Sequence, residues 1–155
     1  MDHQQPLTEA GRAACRALGL RLASSGVAPN VVLCSDTLRA RQTLEALQLG
    51  NVHTRFLASL YVMAALDGET VPHLQELIAT ELESLNATLR RHTNTILCIG
   101  SNKGWEEAAS VLSGTTVRLA APSAAVLQSE KAGWEAALEG EWESGSTGWR
   151  LAELL

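Results

Sequence analysis

The sequence lacks most of the features that would place it at once in a large functional class. It has no basic run longer than Arg90-Arg91, and 12 Lys+Arg stand against 17 Asp+Glu for a net charge of -5. A sequence-independent nucleic-acid binder displaces counterions with clustered positive charge, so no nucleic-acid partner is expected. No apolar stretch approaches the ~20 residues of a membrane-crossing helix. The cysteines are Cys15, Cys34 and Cys98, scattered and without a Cys-x-x-Cys pair. That argues against a disulfide framework and against zinc. The expectation is buried, reduced thiols in an intracellular compartment, with cytoplasm and organelle interior not distinguished. No signal or transit segment is read ahead of the first helix. Aromatics are scarce, one Phe and one Tyr beside Trp105, Trp134, Trp142 and Trp149. There is no internal repeat and no low-complexity segment.

What is present suits one soluble globular domain over residues 1–155, with 46% hydrophobic and 19% charged residues. Thr8 is a good N-cap and Glu9 a first-turn acid. Ala14, Leu18 and Leu22 then recur at spacing four, and Ser24-Ser25-Gly26 ends the helix. Val31 to Cys34 is a short apolar run, as expected of a strand buried on both faces. A helix over Leu38 to Leu47 follows, then an ambiguous stretch, Thr54 to Tyr61, read as a short strand and a loop. Leu74, Leu77, Ile78, Leu82, Leu85 and Leu89 predict one long helix from about Pro72 to Arg91, with Glu76, Glu81 and Glu83 off its apolar stripe. Thr95 to Ile99 is a second buried strand, Gly100 to Gly104 a turn, and Lys103 to Leu112 a helix stopped by Gly114. Thr116 to Leu119, Ala124 to Gln128 and Trp149 to Leu154 read as strands, and Trp142 to Gly148 as turn-rich. Alternating helices and strands predict an α/β fold, a mainly parallel central sheet with helices on both faces in a three-layer sandwich. The alternation starts on a helix, where such folds usually start on a strand.

Two segments carry a family resemblance. Pro6-Leu7-Thr8-Glu9-Ala10-Gly11-Arg12 leads to Ser35-Asp36-Thr37-Leu38-Arg39-Ala40-Arg41-Gln42-Thr43, and Leu97-Cys98-Ile99-Gly100-Ser101-Asn102-Lys103-Gly104-Trp105 follows later. Together they resemble the SixA-like phosphohistidine phosphatase branch of the histidine phosphatase (phosphoglycerate mutase-like) superfamily, in order and spacing from Pro6 to Leu155. The resemblance implies a phosphate site of two histidines and two arginines. The first histidine, the nucleophile, lies in an Arg-His-Gly motif at the end of a central first strand. The second follows the glycine matching Gly100, and the second arginine matches Arg39.

This sequence departs from that pattern twice. Nothing before Asp2 can hold the first strand, and His3 has no Arg-Gly setting. The position after Gly100 is Ser101, not histidine. A phosphoryl-enzyme route needs a nucleophile in line with phosphorus and positive charge on the equatorial oxygens. An alcohol such as Ser101 needs a base, and no histidine neighbours it in sequence. His53, His73 and His92 are read as surface or helix-end residues.

What is left for an anion is vestigial: Arg39, Ser101 and Asn102, at a strand-to-helix turn where backbone N–H groups favour anions. Ser35, Thr43 and Gly100 are expected to support it structurally, Ser35 as a helix cap. Arg39 in a structural ion pair with Asp36 or a helix carboxylate is the competing role. Arg41 reads as solvated surface. Trp105 is expected to pack inside at the second loop, and the other tryptophans to serve the core or a partner surface. Glu135, Glu139, Glu141 and Glu143 read as a solvated face.

The preferred function is therefore a catalytically inactive phosphatase-like domain, a pseudoenzyme acting as a structural or interaction subunit with no cofactor or metal. The alternative is a phosphohistidine or small phosphoester phosphatase whose catalytic strand lies upstream of Met1. A missing central strand would leave backbone groups unpaired, at roughly 1–3 kcal/mol each when buried. Either the sheet closes up, or a partner or a second copy completes it. Completion is the favoured outcome.

Overall fold

The computed structural model describes residues 4–62, 70–100, 102–139 and 148–155. Helix α1 (Glu9–Ser24) begins as the residues dictate, with the Thr8 hydroxyl accepting from the Gly11 N–H at 2.9 Å. It ends at Ser24, and Gly26 takes the left-handed conformation that reverses the chain. Strand β1 (Val31–Ser35) is buried along its whole length. Helix α2 (Leu38–Leu47) packs on α1. The two cross so closely at Gly19 that a Cβ there would lie 2.2 Å from the Leu47 carbonyl oxygen. That contact is with backbone and cannot be relieved by a rotamer change.

The ambiguous stretch resolves into β2 (His53–Leu57) and a short helix, α3 (Ser59–Val62), in place of the expected loop. The single long helix is two helices, α4 (Thr70–Ser84) and α5 (Ala87–His92). Asn86 breaks the run by capping α5, accepting from the Leu89 N–H at 2.8 Å. The Arg90 guanidinium then donates to the carbonyls of Leu82, Glu83 and Leu85 at the end of α4. Glu81 sits inside rather than off the stripe, and accepts from Arg55 Nε at 3.0 Å.

Strand β3 (Ile96–Ile99) and helix α6 (Asn102–Ser113) follow, with Gly114 in the left-handed region just past the helix. Thr116 to Leu119, expected to be a strand, is not one. Side chains of α6 hold its backbone instead: Ser110 Oγ accepts from Val117 N–H at 2.8 Å, and Glu106 Oε1 from Leu119 N–H at 3.0 Å. Strand β4 (Ala125–Ser129), a short helix α7 (Gly133–Leu138) that the sequence reading did not anticipate, and β5 (Trp149–Leu154) complete the order. The Trp142 to Gly148 stretch lies outside the described residues except for Gly148, and so do Trp142, Glu141 and Glu143.

The strands form two sheets among the described residues: β2-β1-β3, all parallel, and an antiparallel β4-β5 ribbon. Helices cover both faces of the parallel sheet. Val31 and Leu33 pack toward Leu74 and Ile78 of α4 and Leu112 of α6, while Val32 and Cys34 pack toward Leu18 and Leu22 of α1 and Leu47 of α2. This is the expected α/β architecture with a mainly parallel sheet. Trp134 and Trp149 serve the core, with ring centroids 6.3 Å apart. Their indole N–H groups donate to the carbonyls of Thr93 and Ala137. No described helix is long and apolar enough to cross a membrane.

Candidate functional site

The parallel register of β1 and β3 builds one end of the molecule. Cys34 lies opposite Ile99, so Ser35 and Gly100 leave the sheet side by side. Each strand then turns into a helix, α2 after β1 and α6 after β3. The Arg39 turn and the turn after Gly100 therefore meet at the same, carboxyl end of the parallel strands, the end where open α/β sheets place ligands.

At the first turn, Thr37 is the N-cap of α2 and accepts from the Ala40 N–H at 3.3 Å. Ser35 was expected in that role. Its Oγ instead accepts from the Thr37 N–H at 3.4 Å and donates to Thr37 Oγ1 at 3.5 Å, tightening the turn one step earlier. Thr43 Oγ1 donates to the Arg39 carbonyl at 2.9 Å. Arg39 itself is exposed, and no ion pair holds it among the described residues. Arg41, expected to be solvated, is exposed but engaged. Its guanidinium carbon lies 4.0 Å from the centre of the Phe56 ring, and its Nε donates to the Asp36 carbonyl at 3.1 Å.

At the second turn, Ser101 lies outside the described residues, and Asn102 is the first residue of α6. Trp105 packs back over Gly100. A Cβ on Gly100 would come within 2.8 Å of the Trp105 indole nitrogen, so glycine is what allows the ring to close over the strand end. That nitrogen is buried and has no hydrogen-bond partner among the described residues.

Both turns open into a cleft of about 1710 Å³. Ser35, Arg39, Thr43 and Gly100 of the expected constellation line it, together with Thr37. The first described residues enter it too, since Gln5 to Thr8 line the same cleft and Leu7 N–H donates to Gln42 Oε1 at 2.7 Å. Residues of β3 and β4 line it as well. His53, His73 and His92 do not line it. His53 is exposed, His92 ends α5 with Nδ1 2.8 Å from the Thr88 carbonyl, and His73 lies within α4. No cluster of metal-ligating side chains occurs among the described residues.

Cys34 and Cys98 offer no nucleophile. Burial pushes Cys34 up to about 12, with nearby Arg41 pulling it down in part, and burial pushes Cys98 up to about 12. Both are thiols, not thiolates, at neutral pH.

A family model described as the histidine phosphatase superfamily (branch 1) matches residues 2–61. A chloroplastic protein of Arabidopsis thaliana is 39% identical over 99% of this chain and 68% of its own length. This chain belongs to the histidine phosphatase superfamily. Solved SixA structures have the same fold. The SixA protein of Nakamurella multipartitia matches at 27% identity with a TM-score of 0.66, over 100% of this chain and 86% of that one. The SixA protein of Agrobacterium tumefaciens matches at 21% identity and a TM-score of 0.66, over 100% and 85%. A third, the protein histidine phosphatase SixA complexed with tungstate, matches at 20% identity and a TM-score of 0.67, over 100% and 86%.

Proposed function

We propose that this chain is a catalytically inactive histidine phosphatase-like domain that serves as an interaction subunit and keeps an anion site at Arg39. One observation carries the reading. The cleft where the superfamily's chemistry would lie presents Arg39, hydroxyls and a glycine turn among its described lining residues, but no histidine. Ser101 stands after Gly100, where the resemblance calls for the second histidine. Where catalytic residues act as a unit, loss of one of them removes most of the rate. What remains suits binding. An exposed guanidinium beside a helix start can take a tetrahedral oxyanion in bidentate fashion, and tungstate in the SixA complex is an anion of that shape. The domain spans residues 1–155 as one unit. The chloroplastic relative favours an organelle interior as the compartment.

The test is hydrolysis of a phosphohistidine peptide and an aryl phosphate by the purified chain. The expected result is no turnover above buffer, with phosphate or tungstate binding that weakens about tenfold or more in Arg39→Ala, as loss of a charge-assisted contact predicts. Turnover abolished by Arg39→Ala or Ser101→Ala would overturn the reading.

A second reading is an active phosphatase completed by a catalytic strand upstream of Met1. It is favoured by Gln5 to Thr8 entering the cleft. Appending an Arg-His-Gly strand and finding turnover would establish it.

A further inference from the structure

The first turn of α2 runs against the helix dipole. An acid suits the N-terminal end of a helix and a cation its C-terminal end. Helix α1 obeys, with Glu9 in its first turn and Arg21 in its last. Helix α2 has no acid in its first turn and carries Arg39 and Arg41 there instead. Two residues apart, they project from opposite sides of the helix. Arg39 lines the cleft, while Arg41 lies over Phe56 of β2, and neither Arg41 nor Phe56 lines the cleft. We infer that Arg41, stacked on Phe56, is a docking subsite for a carboxylate of an acidic partner polypeptide. The inference rests on the interaction-subunit reading and names the partner's chemistry.

Three observations carry it. The first is how Arg41 is held. Its guanidinium carbon is 4.0 Å from the centre of the Phe56 ring, and Nε donates to the Asp36 carbonyl at 3.1 Å. Those two contacts fix the plane of the group and use only its Nε donor. Nη1 and Nη2 take no partner among the described residues, which leaves a fork that matches a carboxylate in bidentate fashion. A side chain that is already stacked has less freedom left to lose on binding.

The second observation is the state of the charge. Glu45 lies four residues on along the same helix, but an arginine ahead of a glutamate is the weaker order for such a pair. No Arg41–Glu45 ion pair forms. The guanidinium therefore stands exposed at the positive end of α2, in a chain of net charge -5. The third is Phe56 itself, which remains 41% exposed beside the fork. A guanidinium next to an open aromatic ring suits a carboxylate carried on a chain with apolar neighbours. Free phosphate would gain nothing from the ring, and a nucleic acid is repelled by the net charge.

The experiment uses the purified 155-residue chain and an acetylated, amidated probe peptide, Gly-Leu-Glu-Leu-Glu-Gly, with a counterpart carrying Gln for both Glu residues. The Arg41 Nε–Hε resonance and the Phe56 amide are followed through the titration, and light scattering gives the oligomeric state. The expected result is a monomer in which both signals shift with the Glu probe, while the Gln probe binds about threefold or more weakly. Arg41→Gln and Phe56→Leu should each weaken the Glu probe about threefold or more, and Phe56→Tyr, which keeps the ring face, should retain it. Arg39→Ala should weaken phosphate binding and change probe affinity by no more than about twofold, since salt screens the more distant charge. Equal binding of both probes would overturn the inference. So would a lowered urea midpoint in Arg41→Gln with unchanged probe affinity, because Arg41 would then only cover Phe56. Inorganic phosphate that shifts the Arg41 resonance as strongly as the probe would assign the fork to a small anion and overturn it. The chain's own acids are tested by combining Asp2→Asn, Asp67→Asn, Glu69→Gln, Glu141→Gln and Glu143→Gln. Probe affinity should not change; a rise would assign the fork to one of those carboxylates. Loss of probe binding in an N-terminally extended form would assign it to upstream residues, and a dimer whose Arg41 resonance moves with concentration to a second copy. Each of these overturns the inference. Phosphohistidine hydrolysis is measured on the same samples. Probe binding with turnover sinks the inactive reading and leaves the subsite. No turnover and no probe binding sinks the subsite alone.

Discussion

Strands β1 and β3 carry nearly the same kind of sequence, Val-Val-Leu-Cys-Ser and Ile-Leu-Cys-Ile, and end in different surroundings. In β1, Val32 and Leu33 are 0% and 1% exposed, because β2 and β3 pair on either side and helices cover both faces. In β3 only Ile99 is buried. Composition alone does not bury a strand. Burial follows from having a neighbour on each edge, and β3 has one neighbour among the described residues. The cleft that holds Arg39 is the same space that leaves β3 half covered, so the openness of the sheet and the state of the site are one structural fact.

Truncation tests this contrast with the largest expected effect. Leu33→Ala in β1 should destabilise the chain by about 2–5 kcal/mol, the range for a fully buried leucine. Leu97→Ala in β3 should cost less than half as much, since its side chain is only half removed from water. Urea denaturation of the two variants gives the comparison directly. Equal losses would mean that β3 is as enclosed as β1.

Alkaline pH probes the thiols of the same two strands. Cys34 and Cys98 are raised from 9.0 to about 12 by burial, so the folded state keeps its protons where the unfolded state has lost them. The stabilisation they bring is complete below pH ~9 and declines as pH rises toward 12. Cys34→Ala with Cys98→Ala should flatten the stability profile over that window. An unchanged slope would show that neither thiol is held above its ordinary value.

The α1–α2 layer over the β1 face allows a smaller perturbation. Gly19→Ala places a methyl against the Leu47 carbonyl. It should cost roughly 1–3 kcal/mol by forcing the helices apart, read as a shift in the urea midpoint without a change in slope. A neutral outcome would show that the crossing is looser than the structure has it.

Much of this was legible in the residues, and what was not has identifiable causes. The Thr8 cap, β1, α2, β3 and the α6 stop at Gly114 follow from local rules that the tertiary structure does not override. The break at Asn86 was hidden because Leu85 and Leu89 continue the apolar period across it, while the cap and the Arg90 contacts act on the backbone. Thr116 to Leu119 has strand-like residues, but Ser110 and Glu106 satisfy its N–H groups from a helix. Helix α7 has no side-chain cap to announce it. Of the site, the meeting of the Arg39 and Gly100 turns was readable, because both follow strands that proved parallel neighbours. The role of Ser35 was not, since Thr37 two residues on is an equally good cap and wins it. Ser101 lies outside the described residues.

Residue-resolved amide hydrogen exchange on the free chain tests most directly whether the sheet stands open beside the candidate site. In β1 every amide from Val32 to Cys34 has a strand to pair with on the side it faces, so all should be strongly protected. In β3, successive amides face opposite edges of the strand, so alternate positions from Ile96 to Ile99 should exchange at rates closer to those of loops. Uniform protection of β3 matching that of β1 would contradict the account, because it would mean that the free chain already pairs both edges of the strand.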